Sequence, residues 1–215
     1  MARPKNTDSE TTRLKILETA ARLFSRRGLH AVGMREIAAE SGVTQPAVHH
    51  YFGTKDELHG AVLEAMYLEL AKAGEKIQSA VLAAGSAHAA VDLGVRALYQ
   101  FALAHRDEVV LAMRESLDSS RKVRSARAQL LGGLLLDQGA EALSALTGRP
   151  TSKLRLSLLS LNFLMSRFVC LSPQEKKLLV APAANGAVSP AQLDQLIEGH
   201  LVESAFQMLL GVSQP

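Results

Sequence analysis

The 215-residue chain has no tryptophan, and aromatic residues make up only 4% of it. No stretch sustains the period-2 alternation of a half-buried strand, while Ala and Leu recur at helical spacing, so the expected fold class is all-α. A single cysteine, Cys170, stands in an apolar stretch; this excludes an intramolecular disulfide framework and a multi-cysteine zinc site. No window of about 18 uninterrupted apolar residues exists. The N-terminal MARPKNTDSE is polar and basic without the apolar core of a signal sequence. No membrane partner is expected, and the cytoplasm is the natural location. GxSxG, GxxxxGK, GxGxxG and HExxH are all missing, so hydrolase, nucleotide-binding and metallopeptidase readings have no foothold. An enzyme is not expected, nor is a cofactor. Charge of one sign is also scarce, at 24 Lys and Arg against 21 Asp and Glu, a net of +3 with a pI near 9.1. Residues 1–58 hold nine basic against seven acidic side chains. That balance is too even to prove nucleic-acid binding by bulk charge, so arrangement has to carry the argument.

The arrangement is found in residues 33–55, GMREIAAESGVTQPAVHHYFGTK. The first part predicts a helix from Met34 to about Glu40 with Ile37 and Ala38 inward. Gly33 caps it with its backbone, and Glu36 supplies the acid side of a capping box. Gly42 in Ser41-Gly42-Val43 provides the positive φ of a sharp inter-helix turn. Thr44 then caps a second helix, and Pro46 lies in its first turn, where a missing N–H costs nothing. Val48, Tyr51 and Phe52 fall at the spacing of a core face. Gln45, Ala47, His49 and His50 are left on the other side, small and hydrogen-bonding as major-groove reading requires.

These residues resemble the DNA-binding signature of the tetracycline-repressor (TetR) family: Gly28 after a first helix, Ile37-Ala38 in the second, the Gly42-Val43 turn, Tyr51-Phe52 ending the third, and Lys55 beyond. The resemblance is specific over residues 11–60 and architectural elsewhere. Two positions depart from it: Val32-Gly33 stand where a capping Thr is usual, and His49 where Tyr is usual. The resemblance and the groove geometry together make Arg35, Thr44, Gln45, Pro46, Ala47, His49, His50 and Lys55 the candidate DNA-binding residues. Gln45 would pair with a base edge such as adenine, Pro46 and Ala47 would meet a thymine methyl, and His50 would read a base. His49, Arg35 and Lys55 would hold phosphates, Lys55 together with the N-terminus of the helix it starts. His49 and His50 cannot chelate one metal ion, because adjacent helical residues point about 100° apart; no metal site is expected.

The remaining chain reads as more helices. Residues 1–10 are expected as a flexible arm, either reaching phosphates or a minor groove through Arg3 and Lys5 or solvated. Helix 1 spans about 11–27, with Leu14, Leu17, Ala20, Ala21 and Phe24 as its apolar stripe. A capping box, Thr54 with Glu57, starts a long helix to about residue 84. Helices follow at about 86–104, 107–118, 121–147, 151–171, 173–180 and 190–211, the last two started by Ser172-Pro173 and Ser189-Pro190. The basic run Arg121 to Arg127 is a second nucleic-acid patch or, more economically, a solvated face. Domains are expected at 11–56 (helix-turn-helix) and 57–215 (effector binding and dimerisation). The resemblance implies a small-molecule pocket, with Met66, Tyr67, Leu70, Tyr99, Met113, Phe163 and Met165 as candidate lining. It also implies a homodimer through two C-terminal helices, with Leu154, Leu158, Leu161, Phe168, Leu196, Leu201 and Met208 as candidate contacts. The function implied is a homodimeric repressor on a palindromic duplex operator, released by a small-molecule effector; the low aromatic content and few obvious interior charges would suit an apolar one. The alternatives are an activator or effector-independent DNA binder of the same fold, and an all-helical enzyme or scaffold whose helix-turn-helix is structural.

Overall fold

The computed structural model describes residues 5–118, 132–180 and 188–211, and these contain no strand. The chain divides into two compact units. The first holds α1 (Lys5–Arg27), α2 (Met34–Ser41), α3 (Gln45–Phe52), the part of α4 (Lys55–Ala83) up to Glu69, and α6 (Arg106–Asp118) from Asp107 onward. α6 and the start of α4 contribute to its core. Ile16, Ala20 and Phe24 of α1, Ile37 of α2, Val48 of α3 and Leu58 of α4 are fully buried, with Leu111 of α6 nearly so. Each of these side chains except Ala20 contributes roughly 1.5–3 kcal/mol of transfer free energy. Leu14, expected in the α1 stripe, is exposed, and Ile16 takes its place.

α1 starts six residues earlier than expected, so residues 5–10 are helical. A long-range contact accounts for the extension: the Ser9 and Tyr51 hydroxyls hydrogen bond at 3.1 Å, fastening this end of α1 to α3. At the other end of α1, buried Ser25 donates to Asp107 Oδ1 at 2.8 Å.

The second unit holds α4 from Leu70, α5 (Ala87–Ala104), a π-helical turn (Gly132–Asp137) leading into α7 (Gln138–Thr147), α8 (Thr151–Cys170), α9 (Pro173–Val180), and α10 (Pro190–Ala205) continuing as a second π-helical turn to Leu210. Residues 121–131 of the expected 121–147 helix, with the basic run Arg121 to Arg127, lie outside the described residues, as do residues 181–187 of the loop before α10. Both serine caps form as expected. Ser189 Oγ accepts from Gln192 N while Gln192 Oε1 accepts from Ser189 N, and Ser172 and Glu175 repeat the exchange. The last carbonyls of α8, which helix geometry leaves without partners, are met by Arg106: its guanidinium donates to the oxygens of Val169, Cys170 and Leu171.

Three helices converge on one carboxylate. Buried Lys176 of α9 lies 2.5 Å from Asp194 Oδ1 of α10, and the Tyr99 hydroxyl of α5 donates to the same oxygen at 3.2 Å. Burial, followed by the charge of Asp194, pushes the Tyr99 phenol far above its usual range.

Candidate nucleic-acid interface

The turn between α2 and α3 forms as its sequence requires. Gly42 sits at φ 70°, ψ 29°, and its N–H reaches the carbonyls of Ala38 and Ala39. Buried Ser41 turns its hydroxyl back to Ile37 O at 2.6 Å. Thr44 is extended and its Oγ1 accepts from Ala47 N at 3.3 Å, so its side chain caps α3. Inward, Val48 and Phe52 are buried. Tyr51, expected in the core, is only partly covered, and its hydroxyl is hydrogen bonded to that of Ser9. The guanidinium of Arg13 stacks over Phe52, 5.3 Å from the ring centre, clamping α3 to α1.

Outward, α3 presents Gln45, Pro46, His49 and His50 exposed, with Ala47 half-buried between them. Arg35, on α2, is exposed as a phosphate contact requires. Three further residues engage groups of the same chain. Lys55 is half-buried and its Nζ donates to Val32 O at 3.2 Å, which ties the start of α4 to the chain entering α2. Glu36 does not close a capping box on Gly33, which has no side-chain cap; it pairs instead with Arg27, which also donates to Ala31 O. The His49 ring is engaged within the chain, with Nδ1 2.8 Å from Gly53 O and Nε2 3.4 Å from Gln45 Nε2. Spacing alone could have found that last contact, since residues four apart share a helix face.

α3 ends at Gly53, and the cap of α4 follows at once. Thr54 N and Oγ1 donate to Glu57 Oε2 at 2.7 and 2.8 Å, while Glu57 N donates to Thr54 Oγ1. The bonds from the Thr54 backbone and then its hydroxyl hold the Glu57 carboxyl below its ordinary pKa.

The candidate pocket residues are split. Met66, Tyr67 and Met113 belong to the first unit, and Leu70, Tyr99, Phe163 and Met165 to the second. All are buried except Met113, which is half-buried, and Phe163, which is 50% exposed and so faces outward.

The candidate dimer residues differ in exposure. Leu154, Leu161 and Leu201 are buried within the chain. Leu158 and Phe168 are half-buried, Phe168 packing edge-on to His200. Only Leu196 and Met208 of the expected set are exposed. The outward stripe of α8 is the other one, Leu156 (68% exposed) and Phe163. It lies on the helix that meets the end of α10, where Ser157 Oγ donates to Met208 O. Among the described residues, no group of three or more His, Cys, Asp or Glu could hold a metal ion, and no single helix is long and apolar enough to cross a membrane.

Residues 16–62 match the sequence family described as bacterial regulatory proteins, tetR family. Over 66 residues the chain is 42% identical to the HTH-type transcriptional repressor Rv3405c of Mycobacterium tuberculosis, a match covering 31% of this chain and 35% of that protein. The matched stretch thus spans about a third of this relative's length. Solved structures extend the likeness of fold to nearly the whole chain. AibR in complex with isovaleryl coenzyme A and operator DNA superposes with a TM-score of 0.65 at 20% identity, covering 89% of this chain and 98% of that one. The ketosteroid transcriptional regulator KstR2 of Mycobacterium tuberculosis gives 0.62 at 18% identity, covering 94% and 95%.

Proposed function

The chain belongs to the TetR family through its N-terminal domain, and from that premise we propose that it is a homodimeric, sequence-specific DNA-binding regulator, a repressor released from its operator by a small molecule. The observation that carries the proposal is α3. Its core face is locked by Val48, Phe52 and the Arg13 stack, while Gln45, Pro46 and His50 stand exposed on the opposite side. A rigid helix with such an outward face reads base edges in a major groove, and exposed Arg35 fixes it on the phosphates.

One recognition helix of eight residues covers little surface. A second copy on a twofold axis places another α3 one helical turn along the duplex, which multiplies affinity and makes the operator palindromic. The exposed apolar residues of α8 and α10, Leu156, Phe163, Leu196 and Met208, supply the twofold contact.

Release works through α4, which has residues in both units. An effector held by the second unit that displaces α4 changes the separation of the two α3 helices in the dimer. It shifts the population away from the DNA-competent state by no more than its differential affinity for the two states. The ketosteroid in the name of KstR2 and the isovaleryl group of the coenzyme A thioester bound to AibR support an effector with an apolar part. The protein acts in the cytoplasm, on duplex DNA, without a catalytic site.

The test is selection from a randomised duplex pool with the full-length protein, followed by footprinting of the recovered sequence. A palindromic footprint is expected. Recovery of no preferred sequence, with micromolar or weaker salt-sensitive binding to every duplex, overturns the proposal.

A further inference from the structure

His49 stands where a phosphate contact was expected, yet both of its ring nitrogens face groups of the same chain. We infer that His49 is a positioning residue for Gln45, fixing which end of the Gln45 amide faces the bases; the inference rests on α3 being the DNA-reading helix.

The Gly53 carbonyl oxygen only accepts, so the ring nitrogen 2.8 Å away, Nδ1, has to carry a hydrogen. A neutral imidazole protonated on Nδ1 leaves Nε2 as an acceptor. The Gln45 group 3.4 Å from Nε2 is the amide nitrogen, the donor that an accepting Nε2 selects. The chain of bonds thus runs one way, from Gln45 NH2 to His49 Nε2, and from His49 Nδ1–H to Gly53 O.

An amide has two ends of similar shape and opposite hydrogen-bonding sense. A free glutamine on an exposed helix face offers either end to a groove. With one N–H tied to His49, Gln45 keeps one N–H and its whole carbonyl for the bases. That pair, one donor beside one acceptor, is the complement of adenine N7 and N6. Gly53 contributes rigidity, since it closes α3 through its N–H to His49 O at 2.8 Å while holding the ring through its carbonyl.

The experiment uses the duplex recovered from the randomised pool and single base-pair variants of it, with full-length protein. Gln45→Ala, His49→Asn and His49→Gln are compared, together with the Gln45→Ala/His49→Asn double variant. An Asn side chain retains a donor near Nδ1 but no acceptor at the Nε2 position, whereas Gln restores that acceptor. His49→Asn is therefore expected to lose about tenfold of the preference for A·T at the one base pair read by Gln45. Affinity for unrelated duplexes and the salt dependence should stay unchanged. His49→Gln should recover most of the preference. The double variant should be no worse than Gln45→Ala alone, because the two residues act as one unit.

If His49 instead holds a phosphate, His49→Asn weakens every duplex equally, lowers the slope of log affinity against log salt by about one, and adds to Gln45→Ala. That result overturns the inference. It also fails if His49→Asn leaves selectivity intact in a protein whose circular dichroism and melting are those of the wild type. A wild-type protein that selects no duplex at all refutes the DNA-binding reading instead, so the two failures are distinct.

Discussion

Gly53→Ala is expected to damage the fold considerably more than Gly42→Ala, although the two glycines share nearly the same φ, 69° and 70°. At Gly42 ψ is 29°, within the left-handed helical region. An added Cβ there meets nothing closer than Lys15 Nζ, the far end of a flexible side chain, at 3.4 Å. The cost is the left-handed penalty alone, about 1 kcal/mol. At Gly53 ψ is −120°, the mirror image of extended backbone, which only glycine enters readily. Strain there is about 2–3 kcal/mol. The new Cβ would also overlap Glu57 Oε2 and lie 3.2 Å from its Cδ. The carboxylate can yield only by leaving Thr54 N and Oγ1, which dismantles the cap that starts α4. From the backbone alone, Gly53→Ala should cost about 1–2 kcal/mol more than Gly42→Ala, roughly 5- to 30-fold in the ratio of folded to unfolded protein. Urea unfolding of the full-length chain followed by circular dichroism measures the difference, provided the m-values agree. Gly53→Ala introduced into a Glu57→Ala background should do less harm than in the wild type, because the overlap is gone. Equal destabilisation by the two glycine variants would refute the reasoning.

The remaining expectations concern burial and charge. Burial in the first unit, beside Phe24, holds the His59 imidazole below its ordinary pKa of 6.5, against the opposing charge of Asp56. The unfolded chain therefore takes up a proton that the folded one refuses. Stability is fully present above about pH 6.5 and falls as pH drops toward the lowered folded value, by at most about 1.4 kcal/mol per pH unit. His59→Leu should flatten that part of the stability–pH curve, and an unchanged slope would assign it to another group. Asp194→Ala strands the buried Lys176 ammonium and should cost about 3 kcal/mol in urea unfolding, whereas Lys176→Met combined with Asp194→Leu should cost less because no charge remains buried. Leu156→Glu with Phe163→Glu should give a folded monomer in sedimentation equilibrium; a persistent dimer would move the twofold contact to another face.

Local chemistry was what the sequence made legible. Thr44, Ser172-Pro173 and Ser189-Pro190 announce helix starts because the cap hydrogen bonds span only three residues, and all three form. Gly42 announces the turn for the same reason. Features settled by distant partners were not legible. The first turns of α1 contain no apolar residue, and the hydroxyl that holds them lies 42 residues away on Tyr51. Periodicity gives α8 two apolar stripes, one through Leu154 and Leu161 and one through Leu156 and Phe163. Nothing within the helix says which faces the core; packing against α7 and α10 decides it. The intrachain contacts of Lys55 and His49, to Val32 O and Gly53 O, were not legible from residue types that suit phosphate.

The Ser9–Tyr51 contact turns the lack of tryptophan into an asset. Of the three tyrosines, the only strong ultraviolet emitters, Tyr99 is bound to a carboxylate that quenches phenol emission and Tyr67 is buried on α4, which leaves Tyr51 as the half-open fluorophore, built into α3. A duplex docking on α3 changes the water around its half-open ring. Operator binding can then be followed by the protein's own light, without a dye, and a Tyr51→Phe variant provides the blank.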